Sequence, residues 1–215
     1  MLIPLQHIVH TLNNLKREKI KGVLHVGAHE CEEHGAYLKA NIDNNNIFWV
    51  EAMPEKVNLI KQRNKNINIY HSVIDMEDDK EIIFNVSNNG QSSSILSFGT
   101  HSKHHPHIKM VKTIPLKTTR LDTFINKYNI PMQNINFLNF DIQGKELDAL
   151  KSMGDFINHI QYIYTEVNTE QVYKNCALLT DIDDFLKQKG FSRIACKMWD
   201  GGKCGWGDAF YIKDH

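Results

Sequence analysis

Residues 21–30 decide the fold, and they read Lys21-Gly22-Val23-Leu24-His25-Val26-Gly27-Ala28-His29-Glu30. The first half of this segment is a short apolar run of the kind that lies inside a parallel sheet. Gly27 and Ala28 follow at once, and both are small enough to let another molecule approach the backbone. The segment therefore predicts a buried strand that ends in a tight turn beside a ligand.

A helix and a second strand are expected after this turn. Apolar residues at helical spacing around Tyr37 predict a helix that begins near residues 30–33. Ile47–Val50 reads as a strand that closes on Glu51, about 24 residues after Gly27. In nucleotide-binding βαβ units an acid at this place accepts hydrogen bonds from the two ribose hydroxyls. The alternative is that Gly27 and Glu51 are merely a turn and a strand end.

The glycine pattern of a dinucleotide site is incomplete in this chain. That pattern has three glycines, and the second of them admits a pyrophosphate. Here Gly27 is followed by Cys31 and later by Gly35. We therefore expect an adenosine ligand without phosphates, and a nicotinamide-dependent oxidoreductase is the disfavoured alternative.

The composition suits a single domain over residues 1–215, with 25 basic and 25 acidic residues and a net charge near zero. This balance gives no electrostatic reason to expect nucleic acid or an anionic membrane as the main partner, and it favours a small, neutral substrate. No apolar run is as long as a membrane span, and the N-terminus lacks a signal-peptide pattern. Four scattered cysteines predict neither a disulfide framework nor a thiolate zinc site. We therefore expect a cytoplasmic protein.

Two segments outside the predicted sheet have distinct expectations. Residues 1–20 predict a leading helix that covers the sheet edge, because apolar residues recur at helical spacing from Leu5 to Leu15. Residues 87–110 begin with Asn, Gly and Ser and predict an active-site loop or lid. This loop contains four histidines, His101, His104, His105 and His107. We expect them to lie on a solvated loop rather than in a metal site, and contact with substrate is left open.

Two acids follow later strands of the predicted sheet. Ile135–Phe140 alternates apolar and polar residues and leads into Asp141, and Ile160–Tyr164 is followed closely by Glu166. Open α/β sheets hold their reacting groups at the carboxyl ends of their strands, so both acids are expected at one rim. The plainer alternative is that each acid caps a helix or forms a salt bridge.

The order of elements indicates the fold class. Strands and helices alternate along most of the chain, and two closing strands at 191–199 and 206–212 flank a turn that reads as a hairpin. This pattern predicts an α/β protein with a mostly parallel sheet and one antiparallel strand.

Five motifs, in order, resemble those of the FkbM family of S-adenosylmethionine-dependent methyltransferases. Residues 23–30 resemble its Asp-x-Gly-Ala-x-x-Gly loop, residues 49–54 its Phe-Glu-Pro-x-Pro, Ser92–Ser94 its serine pair, residues 117–122 its Thr-Leu-Asp segment, and residues 139–146 its Lys-x-Asp-x-Glu-Gly-x-Glu. Three positions depart from these motifs, and they are His25 for Asp, Cys31 for the second Gly, and Gln143 for the Glu after the central-strand acid. The first two departures bear on cofactor binding, and the third bears on any role carried by that Glu.

The resemblance implies a fold, a cofactor and an activity. The fold is the Rossmann-like class I methyltransferase fold, a seven-stranded sheet in the order 3-2-1-4-5-7-6 with helices on both faces. The cofactor is S-adenosylmethionine, and the activity is O-methylation of a small molecule, with a sugar or glycan precursor as the expected acceptor.

The resemblance also suggests roles for individual residues. The expected cofactor contacts are Gly27, Ala28 and His29 at the methionine part, Glu51 at the ribose, Ser72, Val73 or Asp75 at the adenine, and Ser94 and Asp141 elsewhere in the site. Asp141 is the expected base or substrate orienter, and His29 is the reserve candidate for the base, since imidazole commonly serves as one.

Two further alternatives remain at this stage. Asp141, Glu166 and Asn168 resemble in placement the set with which catechol-type methyltransferases hold Mg²⁺, and this metal is the less favoured possibility. The departures at His25, Cys31 and Gln143 also leave open a catalytically silent nucleoside-binding module. The sequence does not indicate an oligomeric state.

Overall fold

The computed structural model describes residues 1–214, which form a large sheet covered by helices and a small second sheet. The strands of the large sheet are β1 (Val23–Val26), β2 (Ile47–Glu51), β3 (Asn68–His71), β7 (Phe137–Phe140), β8 (Tyr162–Asn168), β9 (Phe191–Met198) and β10 (Trp206–Lys213). Those of the small sheet are β4 (Val73–Ile74), β5 (Glu81–Ser87) and β6 (Met110–Thr119). The α-helices are α1 (Leu5–Asn14), α2 (His34–Lys39), α3 (Pro54–Arg63), α4 (His101–His104), α5 (Leu121–Lys127), α6 (Glu146–Lys151) and α7 (Leu179–Gln188).

The large sheet has the order β3-β2-β1-β7-β8-β10-β9. When only its own strands are numbered along the chain, this order is 3-2-1-4-5-7-6, which confirms the implied topology. Strand β10 runs antiparallel to both of its neighbours, and the remaining pairs are parallel. The predicted mostly parallel sheet with one antiparallel strand is therefore confirmed. Strand β1 lies at the centre, since Val26 is in register with Val50 of β2 and with Phe140 of β7.

Helices cover both faces of this sheet. Strand residues alternate between the two faces, so both faces carry apolar side chains against which helices pack. Leu24 and Val26 of β1 belong to a core that includes buried residues of α5, α6 and α7. Val23 belongs to a second core that includes buried residues of α1, α2 and α3. All four residues of β1 are buried, as expected for a central parallel strand.

The leading helix differs from the prediction in length and place. Helix α1 ends at Asn14, and Leu15 beyond it is exposed. Its buried residues Leu5, Ile8 and Leu12 share a core with Phe137, Tyr164 and Phe210 of the central strands. The helix therefore covers a face of the sheet rather than its edge, because its apolar stripe buries more surface against central strands.

The small sheet carries the loop that follows β5. Strands β5 and β6 pair antiparallel, and the loop between them is fastened by backbone pairing of Asn85 with Ser94 and of Phe98 with Tyr173. The second pairing ties the loop to the segment after β8. Within residues 1–214, none of the helices has the length and apolar character needed to cross a membrane.

The turn after β1 requires glycine. Gly27 has φ +97°, and a Cβ built there would lie 1.8 Å from the backbone oxygen of Asp141. Gly27 and Ala28 donate their backbone N–H groups to Val50 O at 2.9 and 3.0 Å. The turn thus packs between the ends of β2 and β7, and it contacts both strand ends at the same edge of the sheet.

Candidate functional site

A cavity of about 410 Å³ opens at the carboxyl ends of β1, β2, β7 and β8. This volume lies within the range of roughly 300–1,000 Å³ that is typical of small-molecule sites. The predicted site residues that line it are Gly27, Ala28, His29, Glu51, Ser72, Val73 and Asp141. Residues of the 87–110 loop, including Gly90, Ser92 and His101, form another part of its wall.

Glu51 organises the wall at the end of β2. Its Oε2 accepts the backbone N–H of His29 at 2.8 Å, and its Oε1 accepts that of Met53 at 2.8 Å. Burial raises the pKa of this carboxyl. A carboxylate has about four acceptor positions, so two remain for the hydroxyls of a ligand in the cavity.

His29 adopts the left-handed conformation, with φ +44°. Its Nδ1 lies 2.6 Å from Glu32 Oε1. Burial alone would raise the pKa of Glu32, but the hydrogen bond with His29, together with backbone hydrogen bonds, lowers it to about 2. The other ring nitrogen, Nε2, is buried without a hydrogen-bond partner among the described residues, and a Cβ at Gly90 would lie 3.2 Å from it. The 87–110 loop therefore covers the nitrogen that would act as a base.

Asp141 and Glu166 meet through Gln143. Asp141 is exposed to the cavity, and Gln143 Nε2 donates to Asp141 Oδ1 at 2.5 Å and to Glu166 Oε2 at 2.7 Å. The Tyr173 hydroxyl donates to the amide oxygen of Gln143. Gln143 has φ +58°, and the neighbouring Gly144 has φ +101°. The tight turn after β7 thus directs one amide onto both acids.

The two acids also influence each other's protonation. Enclosure by the cavity walls, followed by the nearby charge of Asp208, raises the pKa of Asp141. Burial, followed by the charge of Asp141, raises the pKa of Glu166 well above its ordinary value. Two neighbouring carboxyls in one enclosed site ionise together only at a cost, which is the physical reason that both pKa values are raised.

Glu146 and Ser94 hold the turn after β7 through hydrogen bonds to its backbone. Glu146 is buried and accepts the backbone N–H groups of Ile142 at 2.9 Å and Gly144 at 3.1 Å. Ser94 Oγ donates to the backbone oxygen of Gln143 at 2.7 Å. Ser94 does not line the cavity, whereas Ser92 and Ser93 do. The structure gives Ser94 a role in positioning the Gln143 turn, and its contact with the cofactor stays a prediction.

Asp75 also lies outside the cavity wall. Its Oδ1 pairs with Lys145 Nζ at 2.7 Å, so the carboxyl is already neutralised. From the same segment Ser72, Val73 and Ile74 line the cavity, and these are the residues left for an adenine contact. That contact stays a prediction.

The histidine-rich loop is less solvated than expected. His101 is buried and stacks on Phe98 with ring centroids 4.1 Å apart. Burial, followed by the charge of His105, lowers the pKa of His101 to about 4, so the ring is neutral. His104 lies 2.7 Å from Glu170. The prediction of a solvated loop is wrong for His101, because aromatic neighbours enclose it.

The three departures from the family motifs fit their surroundings. His25 is buried, stacks on Trp49 at 4.5 Å between ring centroids, and lies 3.0 Å from the Tyr37 hydroxyl. Burial lowers the pKa of His25 to about 4. Cys31 has φ +59°, so it takes the left-handed conformation that a glycine adopts readily. Gln143 supplies a neutral donor between two acids where a third carboxyl would repel them.

The alternative magnesium set is only partly brought together. Asp141 and Glu166 line the cavity, but Asn168 is buried outside its lining. Among residues 1–214, no cluster of three or more His, Cys, Asp or Glu side chains has the arrangement of a metal site.

Asp208 and the N-terminal residue Met1 also line the cavity, although the sequence pattern did not point to them. Asp208 of β10 lines the cavity, is in register with Glu166, and accepts hydrogen bonds from the Tyr164 hydroxyl and the backbone N–H of Leu2. The amino group of Met1 lies 3.3 Å from Glu33 Oε1. The register of the closing hairpin is the signal that would have found Asp208, whereas the sequence carries no signal for the docking of residues 1 and 2.

The family model described as the methyltransferase FkbM domain matches residues 25–193. Magnesium protoporphyrin IX methyltransferase from Synechocystis PCC 6803 with bound S-adenosylmethionine is similar in structure, with a TM-score of 0.52, 8% identity, and coverage of 97% of this chain and 77% of that chain.

The same Synechocystis enzyme with bound S-adenosylhomocysteine gives a TM-score of 0.50 at 8% identity, with coverage of 97% of this chain and 81% of that chain. At this identity the two likenesses establish the fold, and the Rossmann-like class I methyltransferase fold is thereby confirmed. A comparison with curated proteins gives no significant match.

Proposed function

Since the chain belongs to the FkbM methyltransferase family, we propose that it is an S-adenosylmethionine-dependent O-methyltransferase that acts on a hydroxyl of a small molecule, a sugar or glycan precursor. Methyl transfer is the shared property of the family. The family match favours this activity over a nicotinamide-dependent oxidoreductase. The acceptor, the atom methylated and a cytoplasmic location are the parts that we propose.

The residues of the cavity wall suit an adenosine-bearing cofactor. Glu51 keeps acceptor positions free for ribose hydroxyls, and Gly27 and Ala28 line the cavity beside it. Val73 and Ile74 offer apolar surface for a purine. The Synechocystis enzyme of the same fold has been solved with this cofactor and with its demethylated product, which supports the assignment. When bound, the cofactor supplies an electrophilic methyl group on a sulfonium.

One observation carries the assignment of the base. The backbone of Asp141 touches the Gly27 turn, while its side chain is exposed to the cavity. The acid is thus adjacent to the proposed methionine site, where an acceptor hydroxyl must lie. With the cofactor bound, its methyl–sulfur bond would break as the acceptor oxygen takes the methyl group, S-adenosylhomocysteine would leave, and the Asp141 carboxylate would receive the hydroxyl proton. Gln143 orients that carboxylate through the hydrogen bond that it donates to Asp141 Oδ1.

The acid side of the proposal is tested with Asp141→Asn, which keeps size and removes the basic oxygen. We expect turnover of labelled cofactor with a panel of hexose glycosides to fall by roughly 100-fold or more, since general bases contribute at least that much. The dissociation constant of S-adenosylhomocysteine, measured by calorimetry, should change little.

The matched control is Asp155→Asn, which alters an exposed acid outside the cavity. This control should retain full turnover. Undiminished turnover in Asp141→Asn would remove the catalytic role of Asp141. Failure of the wild-type chain to bind S-adenosylmethionine would instead favour the silent nucleoside-binding module.

A further inference from the structure

A pair of stacked indoles stands at one end of the cavity. The rings of Trp199 and Trp206 lie 5.3 Å apart between centroids, and their planes differ by 11°. Both residues line the cavity. Trp199 is 44% exposed, whereas the other two tryptophans are more enclosed. A partly exposed indole held parallel to a second one offers flat apolar surface to a molecule in the cavity.

The closing hairpin holds this face in place. Trp206 packs against a small core formed by Val172, Tyr173 and Cys176. Trp199 begins the tight connection between β9 and β10, in which Asp200 and Gly201 both have positive φ. The Trp199 ring is therefore held by a constrained turn, and the Trp206 ring is held by packing.

The indole pair adjoins the proposed reacting groups. Trp206 and Asp208 are two residues apart on β10, so their side chains emerge on the same face, about 7 Å apart along the strand. Asp208 is paired in register with Glu166, which shares the Gln143 amide with Asp141. A molecule resting on Trp199 therefore extends towards Asp141 along a line of carboxyl groups.

The charges at this end of the cavity disfavour an anionic acceptor. Glu33, Asp141 and Asp208 line the cavity. The two cationic groups among the lining residues are already engaged, because the Met1 amino group pairs with Glu33 and Lys145 pairs with Asp75 and Asp148. A phosphate placed here would face repulsion without a free cation to offset it. Hydroxyl groups, in contrast, donate well to carboxylates.

We propose that Trp199 and Trp206 form an acceptor subsite that receives the C–H face of an uncharged sugar ring, with Asp208 accepting a ring hydroxyl, and that this subsite rejects phosphorylated sugars. The slightly positive C–H groups of one sugar face match the negative face of an indole. Both described hydrogen bonds to Asp208 end on Oδ2, which leaves Oδ1 for the hydroxyl. The proposal rests on the proposed function for the identity of the acceptor as a sugar.

The test measures sugar binding without requiring turnover. The full chain is saturated with S-adenosylhomocysteine, and saturation-transfer NMR is recorded with methyl glycosides of common hexoses, with the matching hexose 1-phosphates and with hexosamines. We expect saturation transfer to at least one uncharged glycoside, and binding of its 1-phosphate weaker by about 100-fold.

Variants then locate the contact. Trp199→Ala should weaken glycoside binding about tenfold, equivalent to about 1.4 kcal/mol, and Trp199→Phe should retain part of the affinity. Asp208→Asn should reduce the difference in affinity between the uncharged glycoside and the matching hexose 1-phosphate. The matched control is Ile194→Ala, an exposed apolar residue of β9 outside this cavity. It should bind the glycoside like wild type.

Several outcomes would overturn the subsite. One is the absence of saturation transfer to every uncharged glycoside, and another is binding of the hexose 1-phosphates that equals or exceeds that of the glycosides. Preferential binding of the charged hexosamines through cation–π contact would also overturn it. So would an unchanged affinity of Trp199→Ala for the glycoside. Glycoside binding without any methyl transfer would retain the subsite while removing the proposed function, so the two failures are distinguishable.

Discussion

Asp141 and Glu166 accept hydrogen bonds from the same amide nitrogen, Gln143 Nε2, at 2.5 and 2.7 Å. Since the Tyr173 hydroxyl donates to the amide oxygen, the amide cannot reverse without losing three hydrogen bonds. The arrangement holds two acids close together in an enclosed site through one shared donor. It makes Gln143 a positioning residue for the carboxyl that the proposed reaction uses.

The first prediction concerns this amide. Gln143→Glu places a third carboxyl against the pair, so ionisation becomes harder and the pKa values of Asp141 and Glu166 rise further. Activity that needs ionised Asp141 is lost as pH falls, and the acidic limb of the kcat/KM profile should therefore move up by about one pH unit or more. The control is Gln171→Glu, an exposed residue outside the cavity. Superimposable pH profiles for Gln143→Glu and wild type would refute the positioning role.

The second prediction concerns the ribose acid. Glu51→Gln replaces a charged acceptor, and hydrogen bonds to charged groups contribute roughly 1.5–3 kcal/mol. Calorimetry should show the dissociation constant of S-adenosylhomocysteine raised by roughly 10- to 100-fold. Glu55→Gln on the exposed side of α3 is the matched control and should bind normally. An unchanged constant in Glu51→Gln would remove the ribose assignment.

The third prediction concerns the turn after β1. Gly27→Ala forces a Cβ to within 1.8 Å of Asp141 O at φ +97°, so we expect a loss of roughly 2–4 kcal/mol in the free energy of unfolding. Gly35→Ala in α2 meets no atom within 4 Å and should stabilise the protein by roughly 0.5–1 kcal/mol through helix propensity. Urea denaturation measures both. Equal midpoints for the two variants would contradict the described packing of the turn.

The fourth prediction concerns pH and stability. Burial lowers the pKa of His25 from 6.5 to about 4, so between these values the unfolded chain binds a proton that the folded chain does not. The contribution of His25 to stability is therefore complete above pH 6.5 and is lost as pH falls towards 4, with a full effect of about 3 kcal/mol. Because buried acids such as Glu166 have the opposite dependence, the comparison is with His25→Asn. The difference in unfolding free energy between wild type and His25→Asn should shrink from pH 7 to pH 4, and a constant difference would count against the described burial.

The strand ends of the site could be predicted from the sequence, while its through-space partners could not. Gly27 and Asp141 directly follow buried strands, Glu51 ends β2 and Glu166 lies near the end of β8, and the edge that parallel strands share brings all four to one rim. Asp75 looks equally suitable along the chain, yet Lys145 neutralises it from another element. Ion pairing of this kind depends on packing between distant segments, which local patterns do not encode.

The same limit explains the remaining differences. Ser94 was grouped with the serines that line the cavity, but strand pairing with Asn85 turns it towards the Gln143 backbone. The sequence predicts His101 on a solvated loop, yet Phe98 and Tyr173 pack against its ring. For Ser94, strand pairing sets the direction of the side chain. For His101, Tyr173 from a distant segment contributes to the enclosure of the ring.

The most direct measurement is a crystal structure of the full chain with S-adenosylhomocysteine. The account predicts the ribose hydroxyls within roughly 3 Å of the Glu51 carboxylate, the amino-acid part at the Gly27 turn, and the sulfur facing Asp141 across the cavity. Nucleoside density away from the ends of β1 and β2, or a sulfur directed away from Asp141, would contradict it.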